Sequence, residues 1–275
     1  MQNLLLKQAL TLLFISCMVI NANAQFGNIL NKAKQKANDK INSAFDTKSK
    51  DVESKPGSKG SNKIKINPAF DFMACDSLVY EDNFSAYQVG KMPLSWKTNG
   101  SGQVVTSPNL SGKWLQLQNF DSYKLTKLVK YPSKFTIEFD IVAVADKIED
   151  LNPLSFGFAK DNSVRSYTSD AYNEGAINNI SITYYNRHGT NESSSDTKYN
   201  HSGDLDLEGY PNQVMHVSIA VDGENEQVYL DKTKISDTKM FNPNRIKYFY
   251  ISAPIQSQNG AKILFGNYKM KACHN

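Results

Sequence analysis

Beyond Cys75 the chain is a succession of short apolar runs separated by Gly, Asn, Asp, Ser or Pro at intervals of about ten positions. The runs are Leu78–Tyr80, Trp114–Leu117, Phe135–Val144, Leu154–Phe158, Ile180–Tyr185, Met215–Val221, Gln227–Leu230, Ile246–Ile251 and Ile263–Met270. Within them the period is two. Phe135, Ile137, Phe139 and Ile141 alternate with Thr136, Glu138 and Asp140, which predicts a strand with one buried and one polar face. Ile180, Ile182 and Tyr184 alternate in the same way with Ser181, Thr183 and Tyr185. The segment Val221-Asp222-Gly223-Glu224-Asn225 reads as a hairpin, because Asp-Gly supplies the positive φ that a tight turn needs. No helical period of useful length intervenes, so residues 67–275 are predicted to form an all-β domain, an antiparallel two-sheet sandwich or a barrel. A domain of about 200 residues buries roughly 70% of the surface its unfolded chain exposes, so this one needs no metal to fold.

Helical spacing occurs only nearer the N-terminus. Phe26, Ile29, Leu30, Ala33, Ala37, Ile41, Ala44 and Phe45 recur every three or four positions, with Lys32, Lys34, Lys36, Asp39 and Lys40 between them. This predicts a basic amphipathic helix over residues 25–46. Two readings of it stand open: attachment to an anionic membrane surface, a second copy or the β domain, and a solvated, fraying leader. Residues 47–66 are rich in Lys, Ser and Gly, with Asp51 and Pro56 among them, and read as a flexible linker. Residues 1–24 read as a signal peptide: Lys7, an apolar run from Ala9 to Ile20, then Ala22-Asn23-Ala24 as the cleavage pattern. A rival reading takes Phe14-Ile15-Ser16-Cys17 as a lipobox with a lipid on Cys17.

Charge divides the chain. Residues 25–66 carry ten Lys against Asp39, Asp46, Asp51 and Glu53, whereas residues 67–275 carry 20 basic against 23 acidic side chains. The β domain is therefore no polyanion binder, and no nucleic-acid partner is indicated. Of the 3 cysteines, Cys17 lies in the leader, which leaves Cys75 and Cys273 in an oxidising compartment. A disulfide between them would close nearly the whole domain; two independent thiols are the alternative.

Three segments follow one another in the β region: Phe135-Thr136-Ile137-Glu138-Phe139-Asp140-Ile141, then Met215-His216-Val217-Ser218-Ile219-Ala220-Val221-Asp222-Gly223, then Gln227-Val228-Tyr229-Leu230-Asp231. Their order resembles that of the laminin-G-like and concanavalin A-like lectin/glucanase superfamily. Asp82-Asn83-Phe84, Val89-Gly90, Pro93, Trp96, Thr98–Gly102 and Gly112–Leu115 resemble the lectin-like module that precedes OmpA-type domains in secreted proteins of Bacteroidetes-like bacteria. The likeness spans about Cys75 to Cys273. It implies a jelly-roll sandwich and an exported, non-catalytic module of the periplasm, outer membrane or exterior that binds a glycan or cell-wall polymer. It implies no cofactor beyond a structural calcium ion, which such sandwiches often hold. The alternative is a structural or interaction protein of the cell envelope without a glycan ligand, with a degenerate glycoside hydrolase behind both.

Glucanases of that superfamily carry an E-x-D-x-x-E strand; here Glu138 and Asp140 match, but Ala143 stands at the third carboxylate, so a retaining glycosidase lacks one of its pair. Asp204, Asp206 and Glu208, followed by Gly209, have the opening spacing of a calcium loop. Met215 occupies the place of its closing Glu and Pro211 interrupts it, so a solvated acidic loop is preferred. Glu81, Asp82 and Asn83 form a second acidic group. For sugar binding, rings stack on aromatic side chains while polar groups bond the hydroxyls. Tyr185 and Arg187, with Tyr199, His201 and Tyr210 from the polar segment His188–Gln213, are the expected ligand-binding residues, set against ordinary sheet-surface aromatics. Trp96 and Trp114 are expected to pack.

Overall fold

The apolar runs and the polar stretches between them make fifteen strands in the computed structural model, which describes residues 70–274. The signal peptide (1–24), Cys17, the basic helix (25–46) and the linker (47–66) lie outside the described residues. The strands are β1 (Ser77–Asp82), β2 (Trp96–Thr98), β3 (Gly102–Ser107), β4 (Leu110–Leu117), β5 (Ser122–Leu125), β6 (Lys134–Val144), β7 (Leu154–Ala159) and β8 (Asn178–Ile182). They continue as β9 (His188–Ser194), β10 (Tyr199–Asp206), β11 (Val214–Asp222), β12 (Asn225–Leu230), β13 (Thr233–Lys239), β14 (Tyr248–Ser252) and β15 (Lys262–Ala272). One sheet has the order β13-β12-β11-β6-β15-β4-β3, with β1 also paired to β15; the other runs β10-β9-β8-β7-β14-β5-β2. The strands pair antiparallel throughout, and the two sheets form a jelly-roll sandwich.

The two-residue period explains the stacking. Phe135, Ile137, Phe139 and Ile141 on β6 are all fully buried, and they meet Phe156, Phe158 and Phe249 from the opposite sheet. The Phe139 ring lies 5.4 Å from both Phe156 and Phe249. Trp96 packs edge-on against Phe265 at 5.0 Å. Burying each such aromatic side chain contributes about 2–3 kcal/mol. The expected hairpin at Gly223 joins β11 to β12, with Asp222 opposite Asn225 and Gly223 at φ +61°.

The structure corrects several strand expectations. The run Ile180–Tyr185 stays extended only to Ile182; Tyr184–Asn186 is a 3-10 turn, and Arg187 closes it in the left-handed region at φ 60°. The run Ile246–Ile251 becomes strand at Tyr248. Strands β2, β3, β5, β9, β10 and β13 lie outside the expected runs, because they are short or polar. The polar segment His188–Gln213 holds the β9–β10 hairpin, whose inward residues Thr190, Glu192 and Ser194 lie opposite Ile182, Ile180 and Asn178 of β8.

Two segments cover the outer faces. Cys75 and Cys273 form a disulfide with Cα atoms 4.6 Å apart, and the residues just before it lie across the first sheet. There Phe70 and Phe72 each place a ring 5.6 Å from Tyr229, while Asp71 accepts hydrogen bonds from the Tyr229 hydroxyl and Lys234 Nζ, both at 2.8 Å. Over the second sheet lies the β7–β8 connection, residues 160–177. Its ends are pinned by Lys160 N–H to Gly175 O at 2.8 Å and Ile177 N–H to Phe158 O at 2.9 Å. Its middle is tied down by Thr168 N–H to Ser122 Oγ at 2.8 Å and the Tyr167 hydroxyl to Ala253 O at 2.7 Å.

Candidate functional site

Three connections converge at one end of the sandwich: residues 145–153 after β6, residues 183–187 after β8 and residues 207–213 after β10. Each is anchored by an apolar side chain driven into the core. Ile148 and Leu151 plug the first, Tyr184 the second and Leu207 the third, and none is more than 3% exposed. Backbone bonds then lock the connections together, with Leu207 N–H to Arg187 O at 2.9 Å and Asn212 N–H to Ala143 O at 2.8 Å. Anchoring these residues inward turns their neighbours outward, so Glu149, Arg187 and Glu208 border an open groove of about 380 Å³ that Asp146, Lys147 and Pro211 complete.

Arg187 is the centre of this groove. Its Nη2 is ion-paired with the Glu149 carboxylate and its Nη1 lies 3.8 Å from Glu208. The Glu149 carboxyl is held below the usual carboxylate range, by hydrogen bonding to its own backbone N–H and then by Arg187. Tyr185, two residues back on the same turn, is 49% exposed. A guanidinium offers five donors in a planar fork and a carboxylate up to four acceptor sites, so the groove presents both partners that a hydroxyl needs.

The five residues expected to bind ligand fall in two places. Tyr185 and Arg187 share the turn, and Tyr210 follows on the adjoining connection, where its hydroxyl is held by Asp231 Oδ2 at 2.9 Å. Tyr199 and His201 lie on β10, an edge strand, with ring centroids 6.3 Å apart. They stand opposite Ser194 and Glu192, on the side of the strand that faces the other sheet, and Tyr199 packs against the core. Asp146, Lys147 and Glu149 were not singled out in the sequence. The signal available was Ile148 and Leu151, two isolated apolar residues in a polar connection.

The paired carboxylates of β6 serve a different arrangement. Glu138 and Asp140 point outward and bracket His216 of β11: Nδ1 is 2.6 Å from Asp140 Oδ1 and Nε2 is 3.5 Å from Glu138 Oε2. Asn267 donates to the second Asp140 oxygen at 2.7 Å, and Lys271 lies 3.6 Å from Glu138. The imidazole is pushed up to about 9, first by the Asp140 hydrogen bond and then by Glu138, so it is cationic at neutral pH. Ala143, at the place of the third carboxylate, faces the core.

The acidic triplet does not form a cage. The Asp204 side chain is 94% exposed beside His188, Asp206 accepts the Glu208 backbone N–H at 3.0 Å, and Glu208 faces Arg187. Among the described residues no group of three or more His, Cys, Asp or Glu is placed to hold a metal ion. Of the second acidic group, Asp82 is nearly buried and accepts from Phe84 N–H at 2.9 Å, the Ser95 hydroxyl and Trp96 Nε1 at 3.2 Å, which fixes the chain that follows β1.

No family model and no curated protein sequence matches the chain. Among solved structures it is similar to the exoplasmic/lumenal domain of VIP36 in its Ca2+/Man3GlcNAc-bound form, with a TM-score of 0.47, 10% identity, and coverage of 66% of this chain and 84% of that one. It is similar to the carbohydrate recognition domain of Emp47p, with a TM-score of 0.48, 14% identity and coverage of 70% and 95%. A third is the ligand binding domain of botulinum neurotoxin serotype D in complex with N-acetylneuraminic acid, at 0.43 and 11%, where the match takes in 66% of this chain and 43% of the other. At these identities the likeness says nothing about which ligand, if any, this chain takes.

Proposed function

We propose that this domain is an exported, non-catalytic glycan-binding module and that the groove around Arg187 is its binding site. One observation carries the reading: three anchored connections hold a fork of donors between two carboxylates in an open groove, with an exposed aromatic ring on the same turn. Hydroxyl groups of a sugar would bond Arg187, Glu149 and Glu208, and a pyranose face would stack on Tyr185. Export is supported by the leader-like residues 1–24 and by the Cys75–Cys273 disulfide, and the motif order shared with envelope lectin-like modules favours a place at the cell surface.

A glycan array probed with the exported chain, with and without calcium, tests the proposal. Retention of a glycan is expected, with Arg187→Ala and Tyr185→Ala each weakening it about tenfold or more while the melting temperature stays within a few degrees. An array that retains nothing under either condition would sink it.

A further inference from the structure

At the opposite ends of β7 and β8 from that groove, the 160–177 connection walls a second and smaller pocket of about 280 Å³ on the outer face of the second sheet. Its floor is Lys124 of β5, which is only 3% exposed. An ammonium has three N–H donors, and burying it is costly unless they are met. Among the described residues one is met, by the Asp161 backbone oxygen at 3.0 Å, while the Asp161 carboxylate stands 3.9 Å away and is itself 57% exposed. Around the amine the connection places Arg165, Glu174, Ser163, Ser166 and Thr168, and no apolar side chain lines the space.

This lining is selective. Two cations favour an anionic group on the ligand over a neutral sugar, since the Asp161 carboxylate, 3.9 Å away and 57% exposed, is a weak counter-charge for the buried amine. Asp161 and Glu174 accept only, so the ligand also has to bring donors, and a bare sulfate or phosphate brings none while suffering repulsion from both. The excess of acidic over basic residues across the domain likewise disfavours a polyanion. The volume falls just under the usual range of about 300–1,000 Å³ for small-molecule sites, which suits one ring and not a chain. We infer that this pocket binds a single sugar acid, with its carboxylate on Lys124 and Arg165 and its hydroxyls on Asp161, Glu174 and the serines.

The site also has a proton linkage. Burial pushes the Lys124 amine down to about 8; Asp161 opposes that shift and Lys97 on the adjoining strand adds to it. Arg165 and Glu174 face the amine from the connection, and Tyr250 flanks it on β14 with a phenol pushed well above its ordinary value. A bound carboxylate favours the charged amine, so binding near pH 8 takes up about half a proton, and affinity falls roughly tenfold per unit above that pH.

Calorimetry of the full chain with D-galacturonate, D-glucuronate, the parent hexoses, acetate and inorganic sulfate tests this directly. The uronates should bind about tenfold or more tighter than the hexoses, acetate or sulfate. Titrations in buffers of different ionisation enthalpy should report the proton uptake near pH 8. Lys124→Met should abolish binding; because that side chain is buried, Arg165→Ala at an exposed position provides a second variant, expected to weaken binding several-fold with the melting temperature unchanged. The inference is overturned if no uronate binds, if hexose, acetate or sulfate binds as well as uronate, or if binding survives both substitutions.

Discussion

Asn178 on β8 reaches across the interior and donates its Nδ2–H to Oε1 of Glu226 on β12 at 2.8 Å, joining the two sheets by a hydrogen bond inside the apolar core. The other end of the amide is also committed, because Asn178 Oδ1 accepts the Phe158 backbone N–H at 2.8 Å. Glu226 is 1% exposed, and its Oε2 has no hydrogen-bond partner among the described residues, so an ionised carboxylate there would be poorly compensated. Desolvation pushes this carboxyl up to about 8, and it remains protonated in the folded chain at neutral pH.

That shift predicts a pH dependence of stability. An unfolded Glu ionises near pH 4.3, so the folded form gains relative to the unfolded one only while the unfolded residue is also protonated. Glu226 therefore contributes fully below that pH, and its contribution is lost as pH rises through about 8. Glu226→Gln keeps the acceptor for Asn178 and removes the titration. The variant should melt close to the wild type at pH 4.5 and several degrees above it at pH 9. Melting curves that run parallel across the whole pH range would refute the assignment.

His216 should behave in the same sense on the outer face. Its pKa is raised to about 9 by Asp140 and then Glu138, so the pairing stabilises the fold fully below about pH 6.5 and is lost as pH rises through about 9. The imidazole is 44% exposed, so solvent screening limits the contribution to about 1 kcal/mol or less. Asp140→Asn should cost about that much at pH 6 and nothing measurable at pH 10 in urea titrations. An NMR titration should show the imidazole pKa falling by about 0.7 unit in the variant, the equivalent of about 1 kcal/mol; an unmoved value would exclude Asp140 as the main partner.

How far these features could be read in advance depended on what each strand buries. Strands such as β6 and β11, with apolar residues at alternate positions, announced themselves; β9 could not, because Glu192 and Ser194 face inward where the pattern calls for Val or Ile. Those polar residues are tolerated there because Glu226, Asn178 and Ser236 face the same interior region from neighbouring elements, a circumstance set by topology and invisible along the chain. Tyr185 and Arg187 stood out as an aromatic and a cation after an apolar run. Glu149 sits 38 residues before Arg187, and only the convergence of two connections makes them neighbours. Lys124 gave no signal at all, since a lysine on a short polar strand is ordinarily solvated and this one is buried by a connection that comes much later.

The disulfide closes a loop with a sequence separation of 198. In the chain-entropy model such a crosslink stabilises by about 5 kcal/mol, near the upper end for a single bridge. Replacing Cys75 and Cys273 together by Ser should therefore lower the urea midpoint by roughly 2 M, with the residues that cover Tyr229 becoming susceptible to protease first. A midpoint unchanged within error would show that the bridge constrains nothing the sheet pairing of β1 with β15 does not already hold.

Trp114 lies on the outer face of the first sheet, 3% exposed, with Val142 and Leu264 beside it and its Nε1 donating to Ser111 O at 3.1 Å. It lies flat over Gly266 of β15: a Cβ added there would stand 2.7 Å from Trp114 Cε3, closer than carbon atoms can pack. The clash is relieved only by lifting the indole from the sheet, so Gly266→Ala should displace it at a cost of about 1–3 kcal/mol. Trp96 is buried in the core and reports little of this change, so a red shift in fluorescence would come from Trp114. Gly112→Ala, where an added Cβ meets nothing within 4 Å but φ is +78°, serves as the comparison: it strains the backbone and leaves the indole emission where it was. If Gly266→Ala keeps wild-type emission and stability, the ring is not seated on that glycine.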